Sequence, residues 1–162
     1  MIKINEAFIS VVSQKAKESP RKRINFNFHK EDTATLQRML NAMEPGTYIR
    51  PHKHENPDKV EAFFALRGRI LIVEFDNKGR ITEHIILDAK KGNFGAEIAA
   101  RTWHTVISLE SGSVAYEVKD GPYDVKIDKF FAPWAPKEGM NADSLKKCAE
   151  YNANILREIG FK

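Results

Sequence analysis

From residue 45 to residue 131 the chain is broken repeatedly by turn-forming clusters. Pro45-Gly46, Asp76-Asn77-Lys78-Gly79, Lys91-Gly92-Asn93, Glu110-Ser111-Gly112-Ser113 and Asp120-Gly121-Pro122 each combine residues that tolerate positive φ, restrict φ or bond their own backbone. The segments between them read as short strands at 47–53, 59–67, 69–75, 81–88, 94–99, 102–109, 113–119 and 125–131. Many short strands at this spacing predict a barrel or a sandwich.

The flanks read differently. Phe8, Val11, Val12 and Lys15 recur at helical spacing, with Asn5 to cap the start and Pro20 to stop the run, so a helix is expected over about 5–19. Ile24, Phe26 and Phe28 alternate with Asn25, Asn27 and His29, the pattern of a strand. Residues 36–44 consist of strong helix formers, and propensity alone predicts a helix there. A second amphipathic helix is expected over about 142–159, carried by Leu145, Cys148, Ala149, Asn152, Ile155, Leu156 and Ile159. Asn141 or Asp143 would cap it and Gly160 would end it. Phe63, Phe64, Phe75 and Trp103 are expected in the core and the pocket wall.

At 162 residues, with 42% hydrophobic and 30% charged side chains, the chain has the size and composition of one folded domain, 1–162. No apolar run approaches the roughly 20 residues of a membrane helix, and the first ten residues lack the pattern of a secretory signal. A cytoplasmic protein without membrane contact is the expectation. The lone Cys148 excludes an internal disulfide and any multi-cysteine metal site, and its place on an apolar helix face predicts packing. The net charge is +4. Its densest cluster, Lys15, Lys17, Arg21, Lys22 and Arg23, has no interleaved aromatics and reads as a solvated helix end and loop, so no nucleic-acid partner is expected. The excess charge suits an anionic small molecule.

The chemistry concentrates in the histidines. Of five, two form Pro51-His52-Lys53-His54, and residues i and i+2 of a strand share a face, so both imidazoles can grip one ion. Glu61 follows, and Trp103-His104-Thr105 lies far downstream on another expected strand. Three imidazoles and a carboxylate on neighbouring strands would leave coordination positions open. His29 and His84 are expected to be structural or exposed.

The order Gly46, five residues, His52-x-His54, then Glu61, six residues, Gly68 and a late Trp-His resembles the two motifs of the cupin superfamily. Two departures stand out: the interval from His54 to Glu61 is longer than in the family, and Ala99, Arg101 and Ser108 replace the Pro, Gly and Asn of the second motif. More of the chain resembles one family, the WbuC family of cupin-fold metalloproteins. The likeness runs through Ser19–Asn25, Gln37–Ala42, Pro45–His54, Leu66-Arg67-Gly68, Glu117–Tyr123 and Phe131–Gly139. It implies a mainly β fold, a double-stranded β-helix (cupin/jelly-roll) barrel with a core at about 35–131, so that 35–44 would be an early strand rather than a helix. It also implies a divalent transition metal (iron, nickel, manganese or zinc) on His52, His54, Glu61 and His104, and a setting in bacterial surface-polysaccharide (O-antigen) biosynthesis. No reaction follows from it; a metal-dependent isomerase or oxygenase and a non-catalytic sugar-binding module both fit.

Arg38, Arg50, Lys119 and Tyr123 are expected at the barrel mouth, where arginine suits a carboxylate or phosphate. The expected partner is a small, anionic, sugar-related molecule. Ile2, Ile4 and Phe8 offer an apolar surface for a homodimer.

Overall fold

A computed structural model describes residues 1–161 of the chain. It begins with helix α1 (Glu6–Glu18), followed by β1 (Arg23–Asn27), β2 (Leu36–Met43), β3 (His52–Lys53), β4 (Glu61–Arg67), β5 (Ile70–Phe75) and β6 (Ile81–Leu87). After a short 3-10 turn at Ala89–Lys91 come β7 (Gly95–Ile98), β8 (Trp103–Ser108), β9 (Ser113–Asp120), β10 (Phe130–Phe131) and helix α2 (Ala142–Glu158). The strands form two five-stranded sheets, ordered β1-β2-β9-β4-β7 and β10-β3-β8-β5-β6. All pairings are antiparallel. This is the double-stranded β-helix expected from the sequence.

The sheets face each other across a core of Met43, Phe63, Ile70, Ile72, Ile98 and Val106. Each outer face is covered by a different helix. α1 lays Ile9, Val12 and Ala16 on Leu40, Ala42 and Val114 of the first sheet. On the second sheet, Ile155 of α2 and the turn residues Ala132 and Ala135 pack on Leu71, Val73 and Ile107. Beside the inter-sheet core the space between the sheets opens into a cavity, which Met43, Phe63 and Val106 also line.

The caps follow local chemistry: the side chains of Asn5 and Asn141 accept the N–H groups of Phe8 and Ser144. Gly160, at φ 72°, closes α2 with its N–H on the Arg157 carbonyl. The buried stripe of α1 is Ile9, Val12, Ser13 and Ala16, one position round from the expected one, and Val11 is 54% exposed. Leu145 and Ala149 of α2 likewise face water. Phe64 is exposed because neighbours on a strand point to opposite faces and Phe63 takes the inner one.

Three stretches depart from single-segment reading. Residues 36–43 form strand β2 despite their helical propensity, because β1 on one side and β9 on the other satisfy the backbone along its length. Of 47–53 only His52–Lys53 joins a ladder: the carbonyls of Thr47, Tyr48, Ile49 and Arg50 accept from the side chains of Asn152, Arg23, Thr105 and His52, and Pro51 has no N–H to give. Of 125–131 only Phe130–Phe131 does: Asp124 takes the N–H groups of Lys126, Ile127 and Asp128 on its own side-chain and backbone oxygens, and that local turn competes with pairing. The other strands match expectation within one or two residues at each end.

Candidate metal centre

His52 on β3 and His104 on β8 are direct cross-strand partners, with ring centroids 4.4 Å apart. His54 lies two residues beyond His52 on the same face, and its carbonyl accepts the Arg101 N–H at 3.0 Å, which ties it to the turn before β8. Arg101 stands where the related motif has glycine and takes the glycine-like conformation itself, φ 66°, with its guanidinium on Asp58. The turn that aims His104 thus survives the replacement. Ser108, at the position of the motif's Asn, donates its hydroxyl to the Met43 and Glu110 carbonyls. Glu61 enters from the opposite sheet, at the start of β4 and paired with Ile98 and Lys119. A turn over residues 55–58 absorbs the longer interval after His54.

The four side chains are almost fully buried, and their nearest ligand atoms all lie within 4.8 Å of one another. Each imidazole is held from behind by a backbone carbonyl: His52 Nδ1 by Arg50 at 2.9 Å, His104 Nδ1 by Thr102 at 2.9 Å and His54 Nδ1 by Asp128. A carbonyl only accepts, so each Nδ1 carries the proton and each Nε2 presents a lone pair. His104 Nε2 then faces Glu61 Oε1 at 2.5 Å, and His54 Nε2 faces Glu61 Oε2 at 3.5 Å. Both Nε2 atoms and Glu61 Oε1 are buried without a hydrogen-bond partner. Acceptors facing acceptors repel, and each buried orphan costs about 1–3 kcal/mol. A cation among them removes that cost, so the donor set fits a divalent metal ion.

The electrostatics agree. Burial, then the charge of Lys129, holds His52 well below the ordinary imidazole range, so it stays neutral and able to ligate. Burial alone would raise Glu61; positive charge facing it from the side of His104 and His54 lowers it, and with the imidazole protons on Nδ1 a cation between them would supply that charge.

The cluster sits in the wall of a cavity of about 580 Å³ between the sheets, also lined by Met39, Asn41, Phe63, Val106 and Glu117. Arg50, Lys119 and Tyr123 line it too. Arg38 does not: on β2 the residues Gln37, Met39 and Asn41 face the cavity, so Arg38 projects from the other face, exposed to water. Lys119 is not a free cation, because its ammonium is 2.7 Å from Asp128 Oδ2. Arg21 and Arg23 also reach the cavity rim and share Glu138, so this end of the basic cluster is not the solvated loop expected. Arg50 donates to the Ala132 carbonyl at 2.6 Å, and its Nε is buried without a partner.

Four residues here carry no signal in the sequence. Lys59 and Asp128 form a buried ion pair at 2.7 Å behind His54. Lys129 lines the cavity and has no ion-pair partner among the described residues. Glu117 lines the cavity with Asn41 donating to it, and burial plus the charge of Glu61 pushes its carboxyl up to about 7. His29 is buried at the cavity wall with Nδ1 against the Arg38 backbone, whereas His84 is exposed.

A family model described as a domain of unknown function (DUF6016) matches residues 4–87. The chain belongs to the DUF6016 family. No curated protein matches this DUF6016 chain. Among solved structures, the Shewanella oneidensis protein SO0799 aligns over 96% of both chains at 10% identity with a TM-score of 0.56. CapF bound to the inhibitor 3-isopropenyl-tropolone aligns over 67% of this chain and 34% of its own at 19% identity, TM-score 0.54. The capsular polysaccharide assembling protein CapF from Staphylococcus aureus aligns over 67% of this chain and 31% of its own at 16% identity, TM-score 0.50. The DUF6016 chain therefore spans about a third of the length of the CapF proteins. These likenesses establish a shared fold, the cupin fold.

Proposed function

We propose that this DUF6016 protein is a single-domain cupin that holds one divalent transition metal on His52, His54, His104 and Glu61 and binds a small anionic, carbohydrate-related ligand beside it. The observation that carries the reading is the set of three imidazoles whose Nδ1 protons are fixed on carbonyls, clustered with the Glu61 carboxylate, which faces the bare Nε2 atoms of His54 and His104. Nitrogen and oxygen donors of this kind suit iron, nickel, manganese or zinc. When bound, such an ion supplies Lewis acidity and open positions for oxygen donors.

The chain's own residues supply the rest. Lys129 and Arg50 bring cationic charge to the cavity without a carboxylate partner among the described residues. Tyr123 adds a phenol at its rim. We place the chain with the WbuC family, in the bacterial cytoplasm and in surface-polysaccharide biosynthesis. That setting comes from the sequence resemblance, and the capsular polysaccharide assembling protein CapF, which shares the fold, is consistent with it.

A second reading, turnover rather than binding alone, is favoured by Glu117, a cavity carboxyl that burial and the charge of Glu61 push up to about 7, the range that suits proton transfer. It suits a metal-dependent isomerase better than an oxygenase.

Elemental analysis tests the first claim: the wild-type chain should carry about one transition-metal ion and the H52A/H54A variant almost none. Equal content in both would refute the metal centre. Sugar acids should raise the melting temperature of metal-loaded protein, and Arg50→Ala or Lys129→Met should remove most of that shift. A shift with neutral aromatics or peptides only would refute the ligand class.

A further inference from the structure

Residues 121–129 form neither helix nor strand, yet Tyr123, Val125, Asp128 and Lys129 make one wall of the cavity. This strap is tied down at two places. At its start, the N–H groups of Gly121 and Tyr123 donate to the carbonyls of Thr35 and Asp32 at 2.9 and 2.7 Å. Near its end it is held by Asp128. Between the two, Asp124 bonds only its own turn, and Val125 and Ile127 are 76% and 51% exposed.

Asp128 is 2% exposed and engages three separate parts of the protein. Its Oδ1 accepts from Lys59 and its Oδ2 from Lys119, each at 2.7 Å, and both lysines are buried. Lys59 also donates to the Pro122 carbonyl, so one ammonium grips the strap twice. The main-chain carbonyl of Asp128 takes the Nδ1 proton of His54. A carboxylate clamped between two buried ammonium groups has little freedom, and the backbone it belongs to shares that rigidity. Of the three carbonyls that orient the histidines, those of Arg50 and Thr102 lie two residues from the ring they hold. The one behind His54 comes from 74 residues away, in the strap.

We propose that Asp128 is a positioning residue that couples the metal centre to the strap: clamped by Lys59 and Lys119, it holds the carbonyl that orients His54, so that ion capture and closure of the cavity wall stabilise one another. The proposal rests on the metal reading of His52, His54, His104 and Glu61. Coupling of this kind is reciprocal: whatever the anchored strap adds to ion affinity, the ion returns as resistance of the strap to opening. Because the strap also carries Lys129 and Tyr123, loading the metal would at the same time complete the wall that receives the ligand.

The test uses the full-length chain freed of metal, with Co2+ as the probe. Affinity is measured by chelator competition on the wild type, D128N and D128N/K59M. The double variant removes one cation along with the lost anion and so guards against a failure to fold. Both variants should bind Co2+ about 10–100-fold more weakly, with altered visible absorption bands, since that is the usual cost of losing a group that orients a metal-ligating histidine. In the wild type, saturating Co2+ should slow trypsin cleavage after the exposed Lys126 while leaving cleavage after Lys78, in the remote β5–β6 turn, unchanged; in D128N/K59M the slowing should vanish. A folded D128N/K59M chain with wild-type affinity and spectrum would overturn the proposal. So would cleavage after Lys126 at one rate with and without Co2+ in the wild type, a measurement that needs no variant. Failure of the wild type to bind Co2+ at all would instead remove the metal centre, and this coupling with it.

Discussion

Glu117→Gln should make the protein less sensitive to pH, and the size of the effect follows from where the carboxyl lies. Burial is the main cause that lifts Glu117 from the ordinary carboxyl value of 4.5 to about 7, the charge of Glu61 adds to it, and Lys119, Lys129 and the Asn41 amide act against it. Between those two values the folded chain holds a proton that the unfolded chain has released. Stability contributed by the neutral carboxyl is therefore full below the unfolded pKa and is lost as pH rises through the folded one. At 1.36 kcal/mol per pKa unit, the loss attributable to this group is about 1 kcal/mol at pH 5 and about 3 kcal/mol at pH 7. Glutamine cannot ionise and still offers an oxygen to Asn41. The stability of E117Q minus that of the wild type should thus grow by about 3 kcal/mol between pH 4 and pH 7. Urea denaturation of both chains in the presence of a chelator, at four pH values across this window, reads the difference. Any fixed offset from the substitution itself is independent of pH and drops out. A difference that stays flat across the window, or that shrinks as pH rises, would refute a carboxyl held neutral by its surroundings.

Two further outcomes follow from packing. A Cβ at Gly68, where φ is +74°, would lie 2.3 Å from Ser113 Oγ and 2.8 Å from Ser113 Cα, so Gly68→Ala should lose about 2–4 kcal/mol in urea denaturation, and wild-type stability would contradict the packed β4–β5 turn. Cys148 is buried on α2 and its thiol pKa is raised, first by burial and then by Glu138, so iodoacetamide should label it only as the chain unfolds; labelling of the native protein at the rate of a free thiol would place it elsewhere.

Much of this architecture is readable from local pattern. The turn clusters mark nearly every strand end, Asn5 and Asn141 cap the two helices because a side-chain oxygen one turn from the N–H groups is a local contact, and His52 and His54 share a face because a strand alternates. Local pattern misleads where a distant partner decides: residues 36–43 have helical side chains and become a strand because β1 and β9 bracket them. It also misleads where a nearby bond intervenes, as at Asp124, which turns an alternating stretch into the strap.

The site divides the same way. The identity and spacing of the four candidate ligands lie in the sequence, but their chemistry does not. Whether an imidazole offers Nε2 or Nδ1 depends on a carbonyl behind it, and for His54 that carbonyl belongs to Asp128, far along the chain. Lys119 reads as a free cation until the fold brings Asp128 against it, and nothing in the sequence marks Glu117 until β9 turns it into the cavity beside Glu61. Strand, turn and cap preferences act over a few residues and are written into them. Charge state, proton position and the pairing of buried ions depend on which groups share a low-dielectric space, and only the closing of one sheet over the other creates that space.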